Sequence, residues 1–298
     1  MAKIESYVFF DIETTGLPYQ EKNQTKITEL SFVVASQKDI IATPHGTLPP
    51  VSKLTLVFNP ERPIHVEAVK LNGLSNDLLQ HAPVFKQKTG TIVTFLKQLT
   101  KPVCLVAHNG NRFDFKILLT EFCDANMFLP DDLLCVDSLT GFRKILAMEK
   151  VTKALVPKPP PIELGLDLLT DDEDEWPQLN VSTEEWKDID EICDSLSDIS
   201  CEDITEVKKK TQYGVKKPNR SKVIDKVFSK TNNGKTYNYS LSSLYQRLLN
   251  KEQHSHHRAE GDCCMLLECV IACKDAFIPW ADDSCRKLSE IEPLIRKY

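Results

Sequence analysis

The chain alternates between short unbroken apolar runs and segments whose apolar residues recur at helical spacing. Residues 3–10, 29–36 and 53–58 are compact, β-rich runs and predict three strands. From Thr91 to Leu99 the apolar positions are Ile92, Phe95, Leu96 and Leu99, which is one face of a helix. Pro102 to Ala107 is a continuous apolar run that ends at the turn signal Asn109-Gly110, so a buried strand is predicted there. A helix over Phe113–Phe122 and a short strand over Leu133–Asp137 complete this half. Order returns near Tyr237. Ser240–Leu249 predicts a Ser-capped amphipathic helix with Leu241, Leu244, Tyr245, Leu248 and Leu249 on one face. An apolar helix is predicted from Ala259 to about Ala272. This alternation predicts an α/β fold with a mixed central sheet flanked by helices.

Between these halves the composition changes. From Glu163 to Glu206 there are 17 acidic residues and one basic residue, Lys187. From Val207 to Lys230 there are nine Lys or Arg and one Asp. Residues 163–230 therefore read as an acidic-then-basic insertion, largely disordered, in a domain formed by 1–162 and 231–298. The net charge of −6 hides this asymmetry, since the basic part could hold a polyanion. Val156–Pro161 predicts polyproline II, and Pro157–Pro161 either a ligand for an SH3 or WW domain or a rigid loop packed on the body. Neither a signal peptide nor an 18-residue apolar run is present, and ten scattered cysteines suit reduced thiols. These features predict a cytoplasmic or nuclear protein, neither secreted nor anchored in a membrane.

The chemistry lies at element boundaries. Asp11 and Glu13 follow the run Tyr7–Phe10, and residues two apart on a strand share a face. Asp114 follows the Asn109-Gly110 turn, and Asp262 stands five residues after His257. Taken singly, each reads as a loop or surface charge. Together, four carboxylates and one histidine suit two divalent cations and a water-activating base. In that arrangement Asp11 bridges both ions, Glu13 and Asp262 complete one site, and Asp114 completes the other. His257 takes the proton from the attacking water. Gly16 allows a tight turn beside the metals, and Leu17 can wedge against a base.

The stretches Phe10-Asp-Ile-Glu-Thr-Thr-Gly16, His108-Asn-Gly-Asn-Arg-Phe-Asp114 and His257-Arg-Ala-Glu-Gly-Asp262 resemble the DEDDh exonucleases of the RNase H-like superfamily. More narrowly, the chain resembles the three-prime repair exonucleases. The resemblance implies a 3′→5′ DNA exonuclease with an RNase H-like fold, releasing nucleoside monophosphates in repair or clearance of stray DNA. It implies two Mg²⁺ ions per site, with Mn²⁺ as a substitute, and a homodimer. Asp11, Glu13, Asp114 and Asp262 become metal ligands, and His257 the general base. Glu13, Thr14, Gly16, Leu17, His108 and His257 fall at positions expected to touch the substrate or shape its site. The implied substrate is DNA with a single-stranded or frayed 3′ end. The DEDDh core also serves RNA, so trimming of RNA 3′ ends is the alternative, followed by a non-catalytic nucleic-acid-binding role.

Overall fold

A computed structural model describes residues 3–155, 238–252 and 257–296. The expectations for Pro157–Pro161 and for the 163–230 insertion fall outside them. The parts before and after share one sheet and belong to one unit. Six strands lie in the order β3-β2-β1-β4-β5-β6. They are β1 (Ser6–Thr14), β2 (Ile27–Ser36), β3 (Ser52–Val57), β4 (Val103–Ala107), β5 (Leu134–Asp137) and β6 (Arg286–Lys287). β1 pairs antiparallel with β2 and parallel with β4; β5 is parallel to β4, and β3 and β6 are antiparallel edge strands. The sheet is therefore mixed, as the sequence predicts.

Alternation along β1 assigns the two faces. Tyr7 and Phe9 join a core built with α6 (Ser138–Leu155), α7 (Leu241–Leu249), α8 (Ala259–Ala272) and α9 (Lys274–Ser284). Val8, Phe10 and Ile12 join the opposite core, with α4 (Phe85–Lys97) and α5 (Asp114–Asp124). Phe10 lies between Phe32 and Phe115, with ring centroids 5.3 and 6.2 Å away. Aromatic pairs of this kind contribute about 0.5–1.5 kcal/mol each beyond their burial. Three shorter helices, α1 (Gln37–Ala42), α2 (Val66–Asn72) and α3 (Asn76–Leu79), fill the connections. Among the described residues, no helix is long and apolar enough to cross a membrane.

Two differences from the sequence pattern matter. β1 runs on to Thr14, whereas its apolar run stops at Phe10. Pairing with β2 continues through Asp11↔Ser31, Ile12↔Leu30 and Glu13↔Glu29, so backbone hydrogen bonding carries the strand past its apolar stretch. Likewise α4 begins at Phe85, earlier than its clearest periodicity, because Phe85 is buried against Phe58 and Phe122.

Candidate active site

Parity places Asp11 and Glu13 on the face of β1 that α8 covers, because they continue the series Tyr7, Phe9. α8 is buried along most of its length, and Asp262 lies in its first turn. Single carboxylate oxygens of Asp11, Glu13 and Asp262 all lie within 4.8 Å of one another. Asp114 reaches the same space from the other direction. It is the first residue of α5, 3% exposed, and accepts hydrogen bonds from its own amide and that of Ile12. The pairing of β1 with β4 ends at Phe9↔Val106, which leaves the Ile12 edge open to this carboxylate.

The turn before Asp114 is tightly built. Asn109 has φ +64°. A Cβ on Gly110 would stand 2.6 Å from Ala107 Cβ and 2.7 Å from Phe115 Cε2, so a larger residue does not fit there. The Asp137 carboxylate accepts from the amides of Asn109 (2.9 Å), Asn111 (3.1 Å) and Leu139 (3.1 Å). Asp137 is buried and clasps this turn to the end of β5.

Crowding of negative charge marks the cluster. Burial, then Asp114, Asp262, Glu13 and Glu29, hold Asp11 well above the usual carboxylate range. Burial, with Asp262 and Glu29, pushes Glu13 up to about 7, against a hydrogen bond from Asn72 and the attraction of His257. Burial and nearby Asp137 and Glu13 push Asp114 up to about 8. Three oxygen donors this close, from Asp11, Glu13 and Asp262, fit a hard divalent cation, whose charge would offset the crowding that raises Asp11 and Glu13.

His257 sits at the mouth of the cluster. Its side chain is 48% exposed, and Nδ1 lies 3.2 Å from Asp262 Oδ2. That hydrogen bond raises its pKa from the usual imidazole value. Its backbone amide donates to the Leu71 carbonyl (3.2 Å).

The remaining predicted positions have varied surroundings. Thr14 is buried, and its hydroxyl donates to the Gly16 carbonyl (3.0 Å). Gly16 packs against His65: a Cβ there would lie 2.6 Å from His65 Cδ2. Leu17 is 40% exposed. Both ring nitrogens of His108 are engaged, Nδ1 with Ser138 Oγ (3.0 Å) and Nε2 with the Tyr239 carbonyl (2.9 Å). This ring thereby ties the end of β4 to the approaches of α6 and α7.

Three residues at the site were not singled out from the sequence. Asn72, at the end of α2, donates from Nδ2 to Glu13 Oε2 (2.9 Å). Glu29, 1% exposed on β2, receives Arg258 and the Ala259 amide. Asp137 secures the Asp114 turn. Each is a lone polar residue in the sequence, and the TEL context of Glu29 could have flagged only an acid interrupting an apolar strand.

Residues 8–155 match the Exonuclease family. The chain is 26% identical over 298 residues to Three prime repair exonuclease 2 of Mus musculus, covering 98% of this chain and 93% of that protein. It is 24% identical over 304 residues to Three-prime repair exonuclease 1 of Homo sapiens, covering 98% of this chain and 71% of that one. Among solved structures, E. coli Exonuclease I in complex with a dT13 oligonucleotide aligns with a TM-score of 0.53 at 11% identity. That alignment spans 94% of this chain and 43% of that larger one, a likeness of fold.

Proposed function

Because this chain belongs to the exonuclease family and is similar to the three-prime repair exonucleases along nearly its whole length, we propose that it hydrolyses the terminal phosphodiester at DNA 3′ ends. The products are deoxynucleoside monophosphates. The observation that carries this reading is the convergence of Asp11, Glu13 and Asp262 within 4.8 Å, with buried Asp114 alongside. Asp11, Glu13 and Asp262 would hold one divalent cation, and Asp11 with Asp114 a second. Mg²⁺ is the natural occupant of such an oxygen-donor set, and Mn²⁺ can replace it. Bound cations supply Lewis acidity and neutralise the charge that builds on the phosphodiester.

The protein groups divide the remaining work. With Nδ1–H donated to Asp262, a neutral His257 ring presents the Nε2 lone pair as acceptor for the proton of the attacking water. Its exposure leaves it within reach of solvent, which supplies that water. The Gly16 turn is packed by the His65 ring on the side a Cβ would occupy, and glycine there permits the tight turn beside the acid pair. The exposed Leu17, and Leu71 at 57% exposure, offer apolar edges to a splayed terminal base. A terminal nucleotide must be unpaired for its base to reach these edges, so single-stranded or frayed 3′ termini are the substrate that suits the site. The edge strand β3 offers unpaired backbone groups to a second copy, and sedimentation of the full chain tests the homodimer.

The deciding experiment is digestion of matched 5′-labelled DNA and RNA oligonucleotides with Mg²⁺, with EDTA as control. Stepwise shortening of DNA from the 3′ end supports the reading. Internal cuts, or loss of RNA alone, overturn it.

A further inference from the structure

We propose that Glu29 is a positioning residue for the reaction: by gripping Arg258 and the Ala259 amide, its buried carboxylate fixes where His257 and Asp262 stand over β1. This inference rests on the exonuclease reading above.

Glu29 lies directly opposite Glu13 in the β1–β2 register. Arg258 Nε donates to both its oxygens, at 2.9 Å to Oε2 and 3.2 Å to Oε1, and Arg258 Nη2 also donates to Oε1. The Ala259 amide donates to Oε2 at 3.0 Å. Ala259 is the first residue of α8, and Arg258, at its N-cap position, supplies no side-chain cap. A helix start has amides that need acceptors, and a capping side chain normally comes from the N-cap residue itself. Here the acceptor comes from a strand 230 residues away in sequence.

The location gives this long-range cap its consequence. His257 immediately precedes Arg258, and consecutive Cα atoms are only about 3.8 Å apart. Asp262 lies on the turn that Glu29 caps. The clamped residue beside it adds to the placement that the half-exposed imidazole takes from the Asp262 contact and that its backbone takes from the Leu71 carbonyl. A second tie, from Glu260 to Lys53 Nζ (2.8 Å) and Thr55 Oγ1 (2.8 Å), fastens the same turn to β3. Glu29 is also one of the negative charges that raise Asp11 and Glu13. It therefore adds to the repulsion in the cluster, and the placement of residues 257–262 is the compensating effect.

The test compares wild type with Arg258→Ala, Arg258→Lys, Glu29→Gln and the Arg258→Ala/Glu29→Gln double variant. Steady-state rates on 5′-labelled single-stranded DNA with Mg²⁺ are combined with amide hydrogen exchange. The side chain of Arg258 is 47% exposed but its partner Glu29 only 1%, so unchanged exchange at α4 is the control that each variant is folded. The expected result is a kcat about tenfold or more lower in Arg258→Ala and Glu29→Gln, with KM within about twofold. Arg258→Lys, keeping the charge without the fork, recovers part of the loss. The double variant is no worse than the worse single, as for two halves of one clamp. Amides of the first turn of α8 exchange about tenfold faster, while those of α4 do not change. Unaltered exchange at α8 overturns the clamp by itself. Faster exchange with unchanged kcat, a rise in KM alone, or fully additive losses overturns its catalytic role. A wild type that degrades neither DNA nor RNA overturns the exonuclease reading, which the exchange measurement does not use.

Discussion

The side-chain amide of Asn72 donates a 2.9 Å hydrogen bond to Glu13 Oε2, joining the last residue of α2 to the acid pair on β1. The same asparagine accepts from the Leu74 amide (2.9 Å), so its orientation is fixed from both ends. The bond favours ionised Glu13 in a place where burial and neighbouring acids oppose it. Asn72→Ala should push Glu13 further above about 7 and weaken Mn²⁺ binding by roughly tenfold, the value of one hydrogen bond to a charged group. Calorimetric titration at pH 7 measures this. Affinity equal to wild type would mean that Glu13 does not hold the cation.

The acid cluster should make the cation-free protein sensitive to alkali. Asp11, Glu13 and Asp114 have folded-state pKa values above their ordinary ones, with Glu13 at about 7 and Asp114 at about 8. The folded state therefore holds protons that the unfolded chain releases near pH 4, and stability falls as pH rises. Without divalent cations, Tm should drop by about 5–10 °C between pH 6 and pH 9. Mg²⁺ at millimolar concentration should flatten that slope. Calorimetric scans at the two pH values, with and without EDTA, check both statements.

His257→Ala should reduce kcat about 10²–10⁴-fold, the usual worth of a positioned general base. The acidic limb of the wild-type pH–rate profile should disappear in the variant. The direction follows from the pair with Asp262, which raises the histidine pKa and keeps the ring protonated as pH falls. Loss of rate with the acidic limb retained would assign that limb to another group.

Asp137→Ala should strip acceptors from three amides at once and leave them beside a buried turn. The expected cost is about 2–4 kcal/mol, read from chemical denaturation. Activity should fall more than stability alone explains, because the Asn109-to-Asn111 turn sets the position of Asp114. Gly110→Ala should act similarly through its contact at 2.6 Å with Ala107 Cβ.

Much of this architecture is written in local pattern. The parity of Asp11 and Glu13 with Tyr7 and Phe9 needed only the two-residue period of a strand. The Asn109-Gly110 turn and the Ser240 cap, whose hydroxyl accepts from the Ser243 amide, are equally local. Glu29 and Asn72 were hidden for a physical reason. Their partners lie 229 and 59 residues away in sequence, and nothing beside them signals the pairing. The end of β1 was obscured similarly, since ladder hydrogen bonds to β2, rather than apolar side chains, extend it to Thr14.

The chain order of the cluster has a consequence for biosynthesis. Asp11 and Glu13 leave the ribosome early, whereas Asp262, with which they form one cation-holding group, is encoded 251 residues after Asp11. A growing chain can pair β1 with β2 and β4 and still lack the helix that closes the group. The three-carboxylate group, and with it the competence to hold a cation between Asp11, Glu13 and Asp262, can therefore form only after residue 262 has been synthesised and α8 has docked.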